Sequence, residues 1–336
     1  MLQAAGIVVV GLLLTTLAGW GFLRAVADVD AAALLTLRPV EMAAALVLWT
    51  AALYCQGARW RALLPFSPLP SAGFLALVVG GTNVAHLAVP GPVAEVMAAW
   101  FVARRGQAEV SVALSATLVG RLLALAVLSL LVLATTAGKL ALTGLPAWAA
   151  GIAAIAAAGG LSAGVCVALP ATALAAVAGV LQALPGPRAL RAAAWVRGWA
   201  TGFVEVGQKA RWGRATGWSA ANALTLSCAT ALCFRAAGVP IDPLDVVWLH
   251  GILSLATVVM IVLPAGFGAV DALGGGLLIA LGITDVAGAT LCMVALRWVQ
   301  LLSMALGLPA MAWMISEASA ASAGPAVNAG PKPAPG

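Results

Sequence analysis

Charged residues are scarce in this chain: they make up 8% of its 336 residues, whereas hydrophobic residues make up 63%. A typical soluble domain carries about a quarter charged residues, so this sequence cannot cover a water-facing surface. The apolar segments also lack the alternation of polar and apolar residues that a membrane β-barrel requires. Because both of these classes are excluded, the sequence predicts an all-α polytopic membrane protein.

Motifs for bound metal or hydrolytic chemistry are missing as well. The five cysteines form no CxxC pair and lie in apolar segments, where small hydrophobic residues pack between helices. The HExxH, GxSxG and P-loop patterns do not occur. The net charge of +6 is spread between apolar runs rather than gathered with aromatic residues, which argues against nucleic acid as a partner. We therefore expect no metal, no cofactor and no enzyme activity.

Six apolar runs each reach or approach the ~20 residues that cross a bilayer core as a helix. They cover residues 5–22, 41–58, 108–137, 145–169, 216–237 and 285–315. We interpret residues 1–315 as a single transmembrane domain with about six spanning helices. Residues 316–336 consist mainly of Ala, Gly, Pro and Ser, which predicts a disordered tail.

Basic residues indicate which loops face the cytoplasm, because positive charge is retained on that side of the membrane. The connection at about residues 186–214 holds six basic residues and one acid. Arg59 with Arg61, and Arg104 with Arg105, form two further basic loops. With these loops inside, both termini are cytoplasmic, and we expect an integral protein of a bacterial inner (cytoplasmic) membrane.

Two apolar segments, residues 71–104 and 244–281, each contain a helix break about halfway. The breaks are Pro90-Gly91-Pro92 and Pro264-Ala265-Gly266-Phe267-Gly268. Proline removes a backbone donor and glycine has weak helix propensity, so each segment must bend there. The piece after each break is too short to span the membrane. We predict two re-entrant hairpins, the first open to the cytoplasm and the second to the outside.

The two broken segments share one spacing of scarce residue types. Glu95 is followed 11, 14 and 26 residues later by Gly106, Glu109 and Arg121, and Asp271 is followed at the same distances by Gly282, Asp285 and Arg297. Glycine is abundant, so a chance match is the alternative, but matching acids and arginines favour an internal repeat. Because the hairpins open to opposite sides, the repeat would be inverted, as in many secondary transporters.

Two arginines, Arg121 and Arg297, lie near the middle of apolar runs. A charge at that depth costs at least ~2.5 kcal/mol, so it faces the protein interior and finds a partner. We predict that Glu95 pairs with Arg121 and Asp271 with Arg297, within one repeat or across the two. Two interpretations stay open: the ion pairs are purely structural, or this core binds a polar headgroup or a coupling ion.

Two histidines are candidates for proton relay, since histidine exchanges protons near neutral pH. His86 lies one helical turn before Pro90 and near Asn83, and His250 lies in the helix before the second break. The alternative for each is an interior histidine whose hydrogen bonds are satisfied, which is the more common case.

The chain resembles a flippase-like family through motifs that recur in order. They are Arg59-Trp60-Arg61-Ala62-Leu63-Leu64, Gly81-Thr82-Asn83, Pro90-Gly91, Glu95 and Arg121, then a second element from Pro264 to Asp271 with Gly282 and Arg297. The family includes the membrane domain of lysylphosphatidylglycerol synthase and hopanoid-biosynthesis-associated membrane proteins, and the resemblance covers about residues 5–315. It implies movement of a lipid or lipid-linked molecule between membrane leaflets.

Arginines that this family often has are replaced here by Pro92, Ala98 and Val270, and its second acid is Asp271 rather than glutamate. Guanidinium groups grip phosphate in a bidentate fashion, so their loss weakens the case for a strongly anionic headgroup. We expect a neutral or weakly polar lipid, such as a hopanoid-type or glycosylated lipid.

These observations predict a lipid translocator that binds a headgroup between two hairpin tips. The candidate substrate-binding or coupling residues are Asn83, His86, Pro90, Gly91, Glu95, Arg121, His250, Pro264, Gly266, Gly268, Asp271 and Arg297. The alternatives are a membrane-embedded lipid headgroup transferase that uses Glu95, and a noncatalytic partner in a lipid-synthesis complex. Besides the lipid, the candidate partners are a second copy of this chain and lipid-synthesis enzymes.

Overall fold

A computed structural model describes residues 35–88, 91–142, 144–165, 170–184, 186–259 and 269–322 of the chain. Within these ranges the protein is built from helices and has no strand, which confirms the predicted all-α class. The helices are α1 (Pro39–Leu63), α2 (Ala72–Ala88), α3 (Gly91–Arg105), α4 (Val110–Leu142), α5 (Ala147–Val165), α6 (Pro170–Ala183), α7 (Pro187–Lys209), α8 (Trp212–Ala236), α9 (Pro243–Val259), α10 (Ala269–Ala280), α11 (Val286–Ala305) and α12 (Leu308–Ser322).

Three stretches of the described chain are helical, long enough and apolar enough to cross a membrane. They are Pro39–Leu63, Val110–Leu142 and Val286–Glu317. They coincide with the spans predicted at 41–58, 108–137 and 285–315. The spans predicted at 145–169 and 216–237 correspond to α5, a shorter apolar helix, and α8, which is long but less apolar. The span predicted at 5–22 lies outside the described residues.

The centre of the fold is the antiparallel pair of α1 and α8, which form the most extensive helix contact among the described residues. Backbone hydrogen bonds tie both ends: Arg38 N–H donates to Ala236 O at 3.1 Å, and Arg211 N–H donates to Ala62 O at 2.9 Å. Alanines bring the helices close, and Ala52 of α1 is completely buried. The pair therefore forms the axis of the fold, and α2, α4, α9 and α11 pack against it.

Helix α2 approaches α1 so closely that only glycine fits at Gly57. A Cβ atom there would lie 2.5 Å from Ala76 N and 2.6 Å from Ala72 O, which are both backbone atoms. Backbone atoms cannot swing aside as a flexible side chain can, so the first turns of α2 are held firmly against α1. This contact fixes where the chain enters the first broken segment.

The remaining helices pack around the axis in two groups. In the first group α3 packs on α4, and α4 contacts α8 and α9; in the second α10 packs on α11, and α11 contacts α1 and α2. Helix α5 lies against α4 and α9, and α12 lies against α2. Polar contacts join α4 to α9, since Lys139 pairs with Asp245 and Trp248 Nε1–H donates to Thr136 Oγ1 at 3.1 Å.

The basic connection predicted at 186–214 is largely the helix α7, which packs on α4 and α6. Its buried residues Phe203 and Val206 lie on one face, and Gly202 sits against α4 with Ser111 O 3.0 Å from the position of a Cβ atom. Its arginines lie on the exposed side, so α7 is an amphipathic helix. The prediction of a basic connection rested on charge alone and did not include this helix. At the C-terminus, α12 continues to Ser322, past the predicted start of the tail at 316, and residues 323–336 lie outside the described residues.

The first predicted helix break lies where α2 ends at Ala88 and α3 begins at Gly91. Helix α9 ends at Val259 and α10 begins at Ala269. The second predicted break, at residues 264–268, lies outside the residues that the structure describes. Helices α3 and α10 have 15 and 12 residues, fewer than the ~20 that cross a bilayer core.

The turns after α3 and α10 have similar backbone geometry, but their glycines do not correspond. Gly282 has a φ of 68°, and the matching left-handed residue after α3 is Gln107, with a φ of 51°. Gly106 and Gly282 therefore match in their spacing along the sequence but not in backbone conformation. Gly106 instead packs against the Phe66 ring, and a Cβ atom there would require the ring to shift, since it would lie 2.7 Å from Phe66 Cδ2. Asp285, by contrast, caps its helix by accepting a hydrogen bond from Gly288 N at 2.8 Å.

Candidate functional site

The short helix α3 carries Glu95 against the middle of α4, where Arg121 donates a hydrogen bond to Glu95 Oε1. The glutamate is 9% exposed, whereas the arginine side chain is 39% exposed. The ion pair predicted from the 26-residue spacing is therefore made between Glu95 and Arg121, rather than with the other acid and arginine. The burial of the acid explains why it needs a cationic partner at this depth.

A histidine approaches the same carboxylate oxygen from α2. His86 Nε2 lies 3.4 Å from Glu95 Oε1, without the alignment of a hydrogen bond. One carboxylate thus joins three helices that are consecutive in the chain. The contact of His86 with Glu95 therefore links α2 and α3, the two helices on either side of the break.

A cavity of about 60 Å³ opens beside the Glu95–Arg121 pair, between α1, α2, α3 and α4. The side chains that line it include those of Arg59, Trp60, Asn83, Glu95, Ala98 and Arg121. Ala98 is one of the positions where the family often has arginine, and its small side chain leaves room in the cavity. The site is consequently polar on several sides and lies within apolar helices.

The cavity has more positive than negative charge. Arg59 reaches it from α1, with its Nε atom 3.6 Å from the position of a Cβ atom on Gly120. Glu95 is the only acidic residue that lines the cavity in the described part of the chain, and Arg121 already pairs with it. Arg59 has no carboxylate within ion-pair distance among the residues described.

Trp60, which lines the cavity, has a side-chain donor without an acceptor in the described part of the chain. Trp60 is 6% exposed, and its Nε1–H has no partner among the described residues. Burying such a donor unsatisfied costs about 1–3 kcal/mol. Arg59 and Trp60 were not among the predicted site residues, because the sequence placed them in an interfacial loop. Their spacing from Gln56 on one helical face was the available signal, and the helix continues to Leu63.

The second predicted ion pair, Asp271–Arg297, is also made. Arg297 Nε–H donates to Asp271 Oδ1 at 2.6 Å, and Arg297 Nη1–H donates to Gln300 Oε1 at 2.5 Å. The two charged side chains are 5–10% exposed, so this pair is buried more deeply than Glu95–Arg121. The structural interpretation of the ion pair therefore applies better to this second pair.

His250 lies apart from both ion pairs, in contact with α8. Its Nδ1 lies 3.2 Å from Thr230 Oγ1, and its Nε2 lies 3.3 Å from Ser254 Oγ. Both ring nitrogens have hydroxyl partners, which favours the interpretation as a satisfied interior histidine. Of the other predicted site residues, Asn83 lines the cavity and Gly91 begins α3. Pro90, Pro264, Gly266 and Gly268 lie outside the described residues.

Comparison of the sequence with models of protein families shows which family the chain belongs to. The model of the family "Lysylphosphatidylglycerol synthase TM region" matches residues 3–315, nearly the whole chain. The chain belongs to this family. The resemblance inferred from the motifs is thereby confirmed, and so is the assignment as an integral membrane protein of a lipid-related family. Neither a curated protein nor a solved structure matched the chain.

Proposed function

We propose that this protein moves a lipid or lipid-linked molecule between membrane leaflets, and that the polar headgroup occupies the cavity beside Glu95. The family is lipid-related, which supports a membrane lipid as the substrate. The observation that carries the proposal is the cavity itself, in which Arg59 is free of a carboxylate partner and Trp60 has an unused donor. A headgroup with oxygen acceptors would give Arg59 a partner, and the Trp60 side chain lies in the wall of the same cavity.

The charge balance of the cavity refines the class of headgroup. Two guanidinium groups face one carboxylate, so the site favours a headgroup that supplies oxygen acceptors or negative charge. The sequence-based expectation of a neutral lipid rested on arginines missing at Pro92, Ala98 and Val270. Arg59 supplies a cation from α1 instead. A zwitterionic phosphate headgroup and a sugar headgroup both meet these requirements.

An inverted repeat of α1–α5 and α8–α12 accounts for how the cavity would open to either side. Under this pairing α1 corresponds to α8, α2 to α9, α3 to α10, α4 to α11 and α5 to α12. The packing supports it, because the contact of α4 with α9 has its counterpart in α11 with α2, and that of α5 with α9 in α12 with α2. The antiparallel course of α1 and α8 fits a two-fold axis in the membrane plane.

The re-entrant hairpins belong to the same proposal. Each would consist of a 17-residue helix, the break, and a shorter helix, α2–α3 in one repeat and α9–α10 in the other. Broken backbone at membrane depth is tolerated against protein or a water-filled cavity. The cavity beside Glu95 is lined by α2 and α3, the two helices on either side of the first break. A bacterial inner membrane with both termini in the cytoplasm completes the proposed topology.

The transferase alternative is less well supported by the geometry. It would require Glu95 to act as acid or base, but Glu95 Oε1 is engaged by Arg121 and approached by His86. A carboxylate held by a guanidinium group is a weak base. No observation favours the noncatalytic partner role.

Reconstitution tests the proposal directly. In sealed vesicles without the protein, external dithionite quenches only the labelled lipids of the outer leaflet, which are about one-half of the label. In liposomes that contain the purified protein, the quenched fraction should exceed one-half. The panel contains zwitterionic phospholipid, anionic phospholipid and glycolipid. Arg59→Gln should reduce this activity, whereas Arg104→Gln, at an exposed position outside the cavity, should not. If every labelled lipid is quenched to the same extent and at the same rate in vesicles with and without the protein, translocation is refuted.

A further inference from the structure

A groove containing three arginines lies at the seam between α1 and α8, on a different face of α1 from the cavity described above. Arg61 projects from the last turn of α1, and Arg211 and Arg214 come from the N-terminal end of α8. Tyr54 and Trp218 line the same groove, which has a volume of about 390 Å³. About 150 residues separate the two sets of arginines in the sequence, so the fold brings them together.

The three guanidinium groups face the groove without acidic partners. Arg61, Arg211 and Arg214 are exposed, and in the described part of the chain none has a carboxylate within ion-pair distance. Like charges held together repel one another, so an anion in the groove would be stabilised by all three. The planar guanidinium group matches the geometry of a phosphate.

Aromatic and apolar surface continues from the arginines along α1. Tyr54 and Trp218 meet edge to face with ring centroids 6.0 Å apart. Tyrosine and tryptophan favour the depth of the lipid headgroups, where one end of the ring is apolar and the other is wet. Val47, Tyr54 and Arg61 follow one another at seven-residue intervals, so they share one face of the helix, and Val47 is 67% exposed. This face offers an apolar track for an acyl chain below a basic headgroup site.

The opposite end of the same seam provides an internal comparison. At that end, Arg38 takes the position that Arg211 takes at the end with the groove, since each donates its backbone N–H to a carbonyl of the opposite helix. Arg214 comes three residues after Arg211, and the residue three after Arg38 is Glu41. This glutamate pairs with Arg38 at 3.6 Å. One end of the seam is therefore neutralised, whereas the other retains unbalanced positive charge. A general preference for arginine at helix ends does not explain this difference.

We propose that the groove binds the phosphate-bearing headgroup of an anionic phospholipid from the leaflet on that side. Basic pockets between membrane helices are suited to such headgroups. This site is separate from the cavity beside Glu95, and the proposal does not depend on lipid translocation. Its occupant would lie across the α1–α8 seam and hold together the two helices that form the axis of the fold.

Lipid titration of the full-length purified protein by native mass spectrometry tests this site. Phosphatidylglycerol should bind more tightly than phosphatidylethanolamine. Each basic residue near the membrane surface contributes about fivefold to such binding, so Arg211→Gln with Arg214→Gln should weaken phosphatidylglycerol binding about 25-fold. The matched control is Arg188→Gln with Arg191→Gln, which removes two exposed arginines at the same spacing on α7. This control should change binding less than twofold.

Four results would overturn the proposal. They are equal weakening by the α7 control, equal affinity for phosphatidylethanolamine, unchanged affinity in the groove variant, and occupancy of the groove by inorganic phosphate at the concentrations at which the lipid binds. The first would indicate nonspecific charge attraction, and the last would indicate a free-anion site. If the double variant fails to fold, the single changes Arg61→Gln and Arg214→Gln each carry the test, with about fivefold weakening expected.

Discussion

Arg38 and Arg211 occupy matching positions at the starts of α1 and α8, and each donates its backbone N–H to a carbonyl near the end of the other helix. The two bonds, to Ala236 O and Ala62 O, measure 3.1 Å and 2.9 Å. Such reciprocity is what a two-fold relation between the helices requires, because the same contact must occur twice. It is independent of the acid–arginine spacing, so two separate lines of reasoning support the proposed repeat.

The pair Glu95–Arg121 should matter for stability. Arg121→Ala leaves a carboxylate that is 9% exposed without its hydrogen-bonded partner, whereas Arg104→Ala removes only an exposed arginine that lies over the Trp100 ring. Breaking a buried pair costs about 3–5 kcal/mol in soluble proteins and less in membranes. Thermal unfolding in detergent should show a clearly lower midpoint for Arg121→Ala than for Arg104→Ala. Similar midpoints would mean that His86 alone is a sufficient partner for Glu95.

The pair Asp271–Arg297 should be more sensitive still. Its arginine side chain is 10% exposed against 39% for Arg121, so removing one partner leaves a more deeply buried charge. We expect Arg297→Ala to lower the unfolding midpoint more than Arg121→Ala. The double change Asp271→Asn with Arg297→Gln should recover part of the loss, because no charge is then left alone. A double variant less stable than Arg297→Ala would contradict this explanation.

The proposed topology makes a labelling prediction. Cysteines placed singly at the exposed positions Arg61 and Arg104 should react with an impermeant thiol reagent from the same side of the membrane. Cysteines at Asp242 and Asp285 should react from the other side, and all four positions are exposed. The measurement requires a background from which the native cysteines have been removed. Labelling of Arg61 and Arg104 from opposite sides would show that α2 and α3 together cross the membrane.

The close approach at Gly57 predicts a large effect from one added carbon. Gly57→Ala places a Cβ atom 2.5 Å from a backbone nitrogen of α2, so it should destabilise the protein by about 1–3 kcal/mol. The matched control is Gly217→Ala in α8, where nothing lies within 4 Å of the added atom. That change should be neutral or stabilising by up to about 1 kcal/mol, because alanine favours a helix. Unfolding midpoints of the two variants, measured side by side, test this prediction: the midpoint of Gly57→Ala should be clearly lower than that of Gly217→Ala.

The sequence predicted contacts best where a strong physical requirement acted on scarce residues. A buried charge must find a partner, so two acids and two arginines at the same spacing were enough to predict Glu95–Arg121 and Asp271–Arg297. Glycine carries no comparable requirement and is abundant. For that reason Gly106 matched Gly282 in spacing but not in structure.

Other features depended on packing that the one-dimensional pattern does not contain. Arg59 looked like a loop residue because its charge was counted and its helical face was not; α1 continues to Leu63 and turns the side chain into the cavity. Helix α7 looked like a basic connection because its arginines outweighed the apolar face around Phe203. In both cases the sequence identified the charged residues correctly, but it did not show which neighbouring helices the other side chains of the same helix contact.

The shared oxygen of Glu95 has a consequence for any movement of the site. Arg121 and His86 approach Oε1 from different helices, the second at 3.4 Å. If an incoming anion draws the arginine away, the imidazole is already in place beside the carboxylate. A protonated imidazole would then take the place of the guanidinium group, so that the buried carboxylate would not be left without a partner. Glu95 therefore lies against both α2 and α4 through a single oxygen atom.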